Sequence, residues 1–125
     1  MSAFLWVGFG GFLGSIARYA LTVWLPPVAA GRFPLATFAA NCIGCLLIGV
    51  LAGVLARAQA GESLRLFVVV GILGGFTTLS AFGLESVALL RRGDVGFGLL
   101  YILGSVLAGL AAVWVGLGDR TNGLP

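Results

Sequence analysis

Four long apolar stretches, 3–25, 34–56, 64–90 and 95–118, take up nearly all of this 125-residue chain. Each reaches or exceeds the roughly 20 residues an α-helix needs to cross the hydrocarbon of a bilayer. The fold class that follows is an all-α membrane protein of four transmembrane helices. Composition agrees, since 60% of the residues are hydrophobic and only 9% charged, against about 25% charged in soluble domains. Three short loops separate the spans, marked by Pro26-Pro27 and Gly31 to Pro34, by Gln59 to Glu62, and by Arg91 to Asp94, with a tail from Asp119. No stretch is left over for a soluble domain holding an active site. The opening MSAFLWVGF has no basic segment before its apolar run, and that run exceeds a signal peptide's, so the first span is expected to be retained.

All seven basic residues are arginines, and the net charge of +3 is spread over the span ends. No solvated basic stripe with interleaved aromatics is present, so a nucleic-acid partner is not expected. Basic residues flanking spans normally decide which side faces the cytoplasm. With four spans, the N-terminus, second loop and tail share one side and carry Arg57, Arg65 and Arg120; the first and third loops share the other and carry Arg32, Arg91 and Arg92. Three arginines stand against three. A chain without positive bias is expected to insert both ways up, so that copies can pair antiparallel in a dual-topology homodimer.

Helices in lipid associate through small residues that let backbones approach closely. The second span carries Thr37, Asn41, Cys45, Gly49 and Gly53 at a spacing of four; the first offers Gly10 and Gly14 and then Arg18; the fourth offers Tyr101, Ser105 and Gly109. Polar groups in hydrocarbon are costly unless they face a partner or a wet path. Here they are Arg18, Thr37, Asn41, Thr77, Thr78, Ser80, Glu85, Ser86, Tyr101 and Ser105, a set dominated by donors, with Glu85 the only carboxylate and placed late in its span. A proton-coupled cation exporter is expected to carry an acid near a span's midpoint, and this chain carries none.

The stretch GGFTTLSAF at 74–82 is the anomaly of the third span. Paired glycines raise the entropy cost of helix, and hydroxyls compete for backbone bonds, so the span is expected to break there. Broken backbone at membrane depth has to be buried in protein or line a cavity, where its freed groups become ion ligands. Carbonyls suit a dehydrated cation such as Na⁺, while N–H groups and side-chain donors suit a small anion. A packing kink with internally bonded threonines is the other reading. Cys42 and Cys45 form a CxxC, but in an apolar span of a histidine-free chain they read as small packing residues. The run GFGGFLG at 8–14 fails the dinucleotide pattern because Leu13 holds the third glycine position. Nucleophilic and acid–base catalysis have no candidate residues, so an enzyme is not expected.

Three segments, GGFLGSIARY at 10–19, FPLATFAANCIG at 33–44 and GILGGFTTLSAFGLE at 71–85, resemble in order and spacing the signatures of the Fluc (CrcB) fluoride channels. The resemblance covers nearly the whole chain and implies a single four-helix transmembrane channel domain, 1–125, in the cell inner (plasma) membrane. It further implies an antiparallel dual-topology homodimer with two fluoride pores and one structural Na⁺ at its centre. Carried over by position, the Na⁺ falls to the backbone carbonyls of Gly74 and Thr77. Asn41 becomes an anion ligand, Ser80 and Phe82 line the fluoride path, and Glu85 and Ser105 form a polar track beside it with Thr37. Arg18 matches the family's first-span arginine as a structural residue. Leu79 stands where members commonly have the first pore phenylalanine, and Ala81 where they have a hydroxyl.

Fluoride is small and tightly hydrated, so a pore has to replace its water with strong donors such as the Asn41 amide and the Ser80 hydroxyl. The positive edge of the Phe82 ring faces an anion without the full charge that would trap it, and weak serial contacts permit exit as well as entry. The expected function is passive export of fluoride by a channel. Two alternatives stand beside it: a small multidrug-type proton-coupled transporter, disfavoured by the missing central acid, and a non-transporting membrane subunit, disfavoured by the number of donors within the spans.

Overall fold

The computed structural model describes residues 2–25 and 33–118. The first loop and the tail, with Arg32 and Arg120 of the charge tally, lie outside the described residues. Helices α1 (Ser2–Trp24), α2 (Leu35–Ala58) and α5 (Val95–Leu117) are continuous. The third span has two pieces. Its first half, α3, joins an α-turn Glu62–Arg65, a π-helical stretch Leu66–Leu73 and a last α-turn Gly74–Phe76; its second half, α4, is Leu79–Arg91. Four spans of membrane length result, close to the boundaries read from hydropathy. The turn from α4 to α5 closes tightly because Gly93 adopts φ +93°, in the left-handed region open to glycine, while Asp94 N–H returns to the Leu89 carbonyl.

Two parallel helix pairs make up the body. In the first, α1 lies on α3 so closely that a Cβ added to Gly14 would stand 2.0 Å from the Ile72 carbonyl oxygen. Beyond that crossing, Phe67 takes the edge of Trp6 at 5.9 Å and stacks with Phe9 at 6.0 Å. In the second pair, α2 meets α5 where Gly49 faces Val113 and Gly116. Close backbone approach of this kind substitutes in lipid for the hydrophobic drive that assembles helices in water. The core is small, with Ala40, Leu73, Leu89 and Tyr101 buried, and the outward faces carry Phe4, Leu107 and Trp114. That inside-out distribution fits an oily surround.

The α2 stripe is partly as expected. Thr37, Gly49 and Gly53 are buried, but Asn41 and Cys45 are half-buried, and Ala40 and Gly44 are buried beside them. Helix α2 touches α1 and α3 as well as α5, so it presents more than one face and a single stripe understates its contacts.

Candidate functional site

The break falls at Thr77 and Thr78. Gly74 and Gly75 remain helical, whereas Thr77 (φ −88°, ψ 160°) and Thr78 (φ −153°, ψ 127°) are extended. The two threonines, not the glycines, interrupt the helix. Asn41 on α2 holds the opened backbone from the side: its Oδ1 accepts from the Thr78 N–H at 2.8 Å, and its Nδ2 donates to the Thr78 carbonyl at 3.0 Å. A primary amide has two N–H donors, so one beyond the Thr78 bond is left to offer. Gly44, one turn further along α2, admits Thr77; a Cβ there would lie 2.2 Å from Thr77 Cγ2.

Several polar groups at the break find new partners. Thr77 donates both its N–H and its Oγ1 to the Leu73 carbonyl, at 3.0 and 3.1 Å. Arg18 Nε, arriving from α1, donates to the Gly75 carbonyl at 3.3 Å, replacing the N–H that a continued helix would have supplied. The Thr78 N–H, which a continued helix would send to the Gly74 carbonyl, goes to Asn41. The Ala81 N–H, which would reach the Thr77 carbonyl, goes to Thr78 Oγ1 at 3.2 Å and so caps α4. The carbonyls of Gly74 and Thr77 thereby lose their helical donors. The negative end of the α3 dipole and the positive end of the α4 dipole meet at the same place. Ser80 Oγ lies 3.3 Å from Thr78 Oγ1.

Beside the break lies a groove of about 360 Å³ whose lining includes Asn41, Gly74, Thr77, Leu79, Phe82 and Ser105. Six of the expected site residues are thus brought together. Ser105 Oγ is buried and has no hydrogen-bond partner among the described residues. Leu79 is 80% exposed on the open side.

Thr37 and Glu85 sit apart from that groove, in a second cluster reached through Phe82. The Glu85 carboxylate accepts from Thr37 Oγ1 at 3.1 Å and from the Tyr101 hydroxyl at 3.0 Å. Tyr101 is fully buried, and its ring meets Phe82 at 5.1 Å and Phe33 at 5.4 Å. Ser86 Oγ donates to the Phe82 carbonyl at 2.7 Å, tying down the backbone beneath that ring. Reasoning from sequence overlooked three contributors: Gly44 as the seat of Thr77, Thr78 as the cap of α4, and Phe33 against Tyr101. The Phe33-Pro34 pair at the mouth of α2 and the S/T-first pattern before α4 were the available signals.

Residues 5–117 match the CrcB-like protein family, Camphor Resistance (CrcB). The chain is 48% identical over 119 residues to the fluoride-specific ion channel of Novosphingobium aromaticivorans, covering 94% of each. It is 46% identical over 117 residues to that of Agrobacterium fabrum, covering 93% of this chain and 94% of the relative. To the fluoride-specific ion channel of Paracoccus denitrificans it is 47% identical over 114 residues, 91% of this chain and 90% of the relative. A match running from the first helix through the break to the end of the last, at this identity, leaves no part of the architecture outside the comparison: the chain belongs to the CrcB-like family.

Proposed function

We propose that this chain is a fluoride channel of the cell's inner membrane, acting as an antiparallel homodimer that lets fluoride leave passively. The observation that carries the reading is the relationship just described, with proteins named fluoride-specific ion channels over nine-tenths of the chain at 46–48% identity. The chemistry of the break supports it. A dehydrated anion needs donors, and the spare Asn41 N–H, the Ser80 hydroxyl and the unpartnered Ser105 hydroxyl stand at or beside one groove. Phe82 lines the same groove, and the positive edge of such a ring suits an anion. In this reading fluoride moves along Asn41, Ser80 and Phe82, with Leu79 as an aliphatic wall and Thr37, Glu85 and Ser105 as polar flanks.

The fit of the break to a structural Na⁺ follows from the diverted donors. The Gly74 and Thr77 carbonyls are the pair whose helical partners are taken by Asn41 and by Thr78 Oγ1. Hard oxygens of this kind suit a small cation. Gly74 and Thr77 would hold it with their counterparts in the second copy, and its charge would offset the carbonyl ends that converge there. Arg18 stays off this set because it is committed to the Gly75 carbonyl.

Purified protein in liposomes tests the function directly. Fluoride efflux down its gradient, far exceeding chloride efflux and needing no proton gradient, is the expected result. Liposomes that hold fluoride as tightly as protein-free ones would refute the reading.

A further inference from the structure

Phe33 stands outside every residue so far given a part in permeation, at the foot of α2, yet it belongs to a chain of rings that leads into the groove. Its ring meets Phe38 edge-on at 5.4 Å (72°) and Tyr101 edge-on at 5.4 Å (81°). Tyr101 in turn meets Phe82 at 5.1 Å, and Phe82 lines the groove. Such contacts are directional, because the positive edge of one ring seeks the negative face of the next.

The backbone makes Phe33 a fixed wedge. It precedes Pro34, which is fully buried and restricts the residue before it to extended conformations. Its carbonyl accepts from the Leu35 N–H at 2.8 Å. At the far end, Tyr101 has no exposed surface, and its hydroxyl donates to Glu85. Tyr101 therefore cannot tilt without moving Phe82, Glu85 or Phe33. Of these, Phe33 meets the Tyr101 ring without lining the groove itself.

We propose that Phe33 is a positioning residue for permeation: by seating Tyr101 it fixes the angle at which the Phe82 ring meets the passing anion. The proposal rests on the channel reading above, and it separates Phe33 from general packing because its influence has to pass through the Phe82 ring.

The test is a double-mutant comparison of initial fluoride efflux from liposomes at matched protein density, with particle size checked by gel filtration. Phe33→Leu keeps apolar bulk and removes the ring; Phe33→Tyr keeps a ring edge. Phe33→Leu is expected to slow fluoride at least threefold and to narrow its advantage over chloride, while Phe33→Tyr stays within twofold of wild type. In a Phe82→Ile background, Phe33→Leu is expected to change efflux by less than a further 1.5-fold, since no ring is left to aim. An equal loss in both backgrounds, or no loss in either, overturns the proposal. If Phe33→Leu is not recovered as a monodisperse protein, Phe33→Met supplies the same comparison. A second readout stands apart from transport: with 4-fluorophenylalanine placed at position 82, Phe33→Leu should shift or broaden its ¹⁹F resonance, and an unchanged line also overturns the proposal. Absence of fluoride efflux from wild-type liposomes would sink the channel reading, and the ¹⁹F comparison would still decide whether Phe33 seats the ring.

Discussion

At the scale of single residues, Asn41 shows how a polar side chain in lipid can serve a helix break and a ligand at once. Its carbonyl and one amide hydrogen are engaged with Thr78, and the other hydrogen remains for the groove. That double use was not legible in the sequence, because Asn41 and Thr78 are 37 positions apart and nothing local marks the pairing; only the need for a partner was. Asn41→Asp keeps the acceptor for the Thr78 N–H, but it sets a carboxylate against the Thr78 carbonyl and against any approaching anion. A lost bond at such a site costs about 1–3 kcal/mol, and charge repulsion adds to it. Fluoride efflux should fall at least tenfold in a mutant that still elutes as the wild-type species. Efflux at the wild-type rate would remove Asn41 from the path. Phe82 is the second such residue. Replacing it with isoleucine keeps apolar volume but removes the quadrupole and the face that Tyr101 holds at 5.1 Å. Ring contacts are worth about 0.5–1.5 kcal/mol, and a tenfold change in rate corresponds to roughly 1.4 kcal/mol. Phe82→Ile should therefore slow efflux by about two- to tenfold. Leu79 stands at the groove where the resemblance implies a first pore phenylalanine, so Leu79→Phe supplies a second ring and should preserve or raise the rate. The opposite ordering of these two variants in the liposome assay would mean that the path is not built around Phe82.

At the scale of elements, the spans were legible because length and apolarity are properties of every residue in them, and the break was legible because hydroxyls inside an oily segment need an explanation. The winding of α3 was not. Leu66–Leu73 is apolar all round, so it carries no periodicity from which a π-helix differs from an α-helix, and in the fold it lies against α1. That contact makes a sharp forecast. A methyl group on Gly14 meets the backbone oxygen of Ile72 at 2.0 Å, whereas one on Gly8 meets nothing within 4 Å. Backbone cannot swing aside as a side chain does, so Gly14→Ala should force α1 away from α3 at a cost of about 1–3 kcal/mol. Gly8→Ala incurs no clash and gains helix propensity of up to about 1 kcal/mol. Thermal unfolding in detergent should then show Gly14→Ala melting well below wild type and Gly8→Ala at or above it. Equal melting temperatures would mean that the crossing at Gly14 is looser than drawn. Since Arg18 lies four residues beyond Gly14 and reaches the Gly75 carbonyl from the same helix, loss of this crossing should also impair fluoride efflux from whatever protein survives.

At the scale of the whole molecule, the question is what closes the groove. A dehydrated fluoride has to be enclosed, yet on one chain Leu79 and Ser80 at the groove's side are exposed. A second copy is the economical cover. In the antiparallel pair proposed above, the Gly74 and Thr77 carbonyls of both copies would serve together as ligands of the proposed Na⁺. The sequence bears on this through charge alone. Arg57, Arg65 and Arg120 flank one side of the four spans and Arg32, Arg91 and Arg92 the other, and a bias in such residues normally sets orientation. Arg65 pairs with Glu62 and Arg92 with Asp94 at 2.9 Å, one ion pair on each side, and acidic residues weigh little in setting orientation. Wild-type chains should therefore insert both ways. A single cysteine placed in the tail, in a background with Cys42 and Cys45 replaced by alanine, should be labelled in intact cells by an impermeant maleimide to about half its total, the remainder reacting only after permeabilisation. Arg32→Ala with Arg91→Ala leaves one arginine against three and should drive the tail to one side, so that labelling departs clearly from an even split. That variant alone should lose efflux, since every copy points the same way. Coexpression with a variant biased oppositely, Arg57→Ala with Arg65→Ala, should restore it. A wild-type tail found on one side only, or a one-sided variant that conducts by itself, would rule out the antiparallel pair and require the groove to be closed by something other than an inverted copy of this chain.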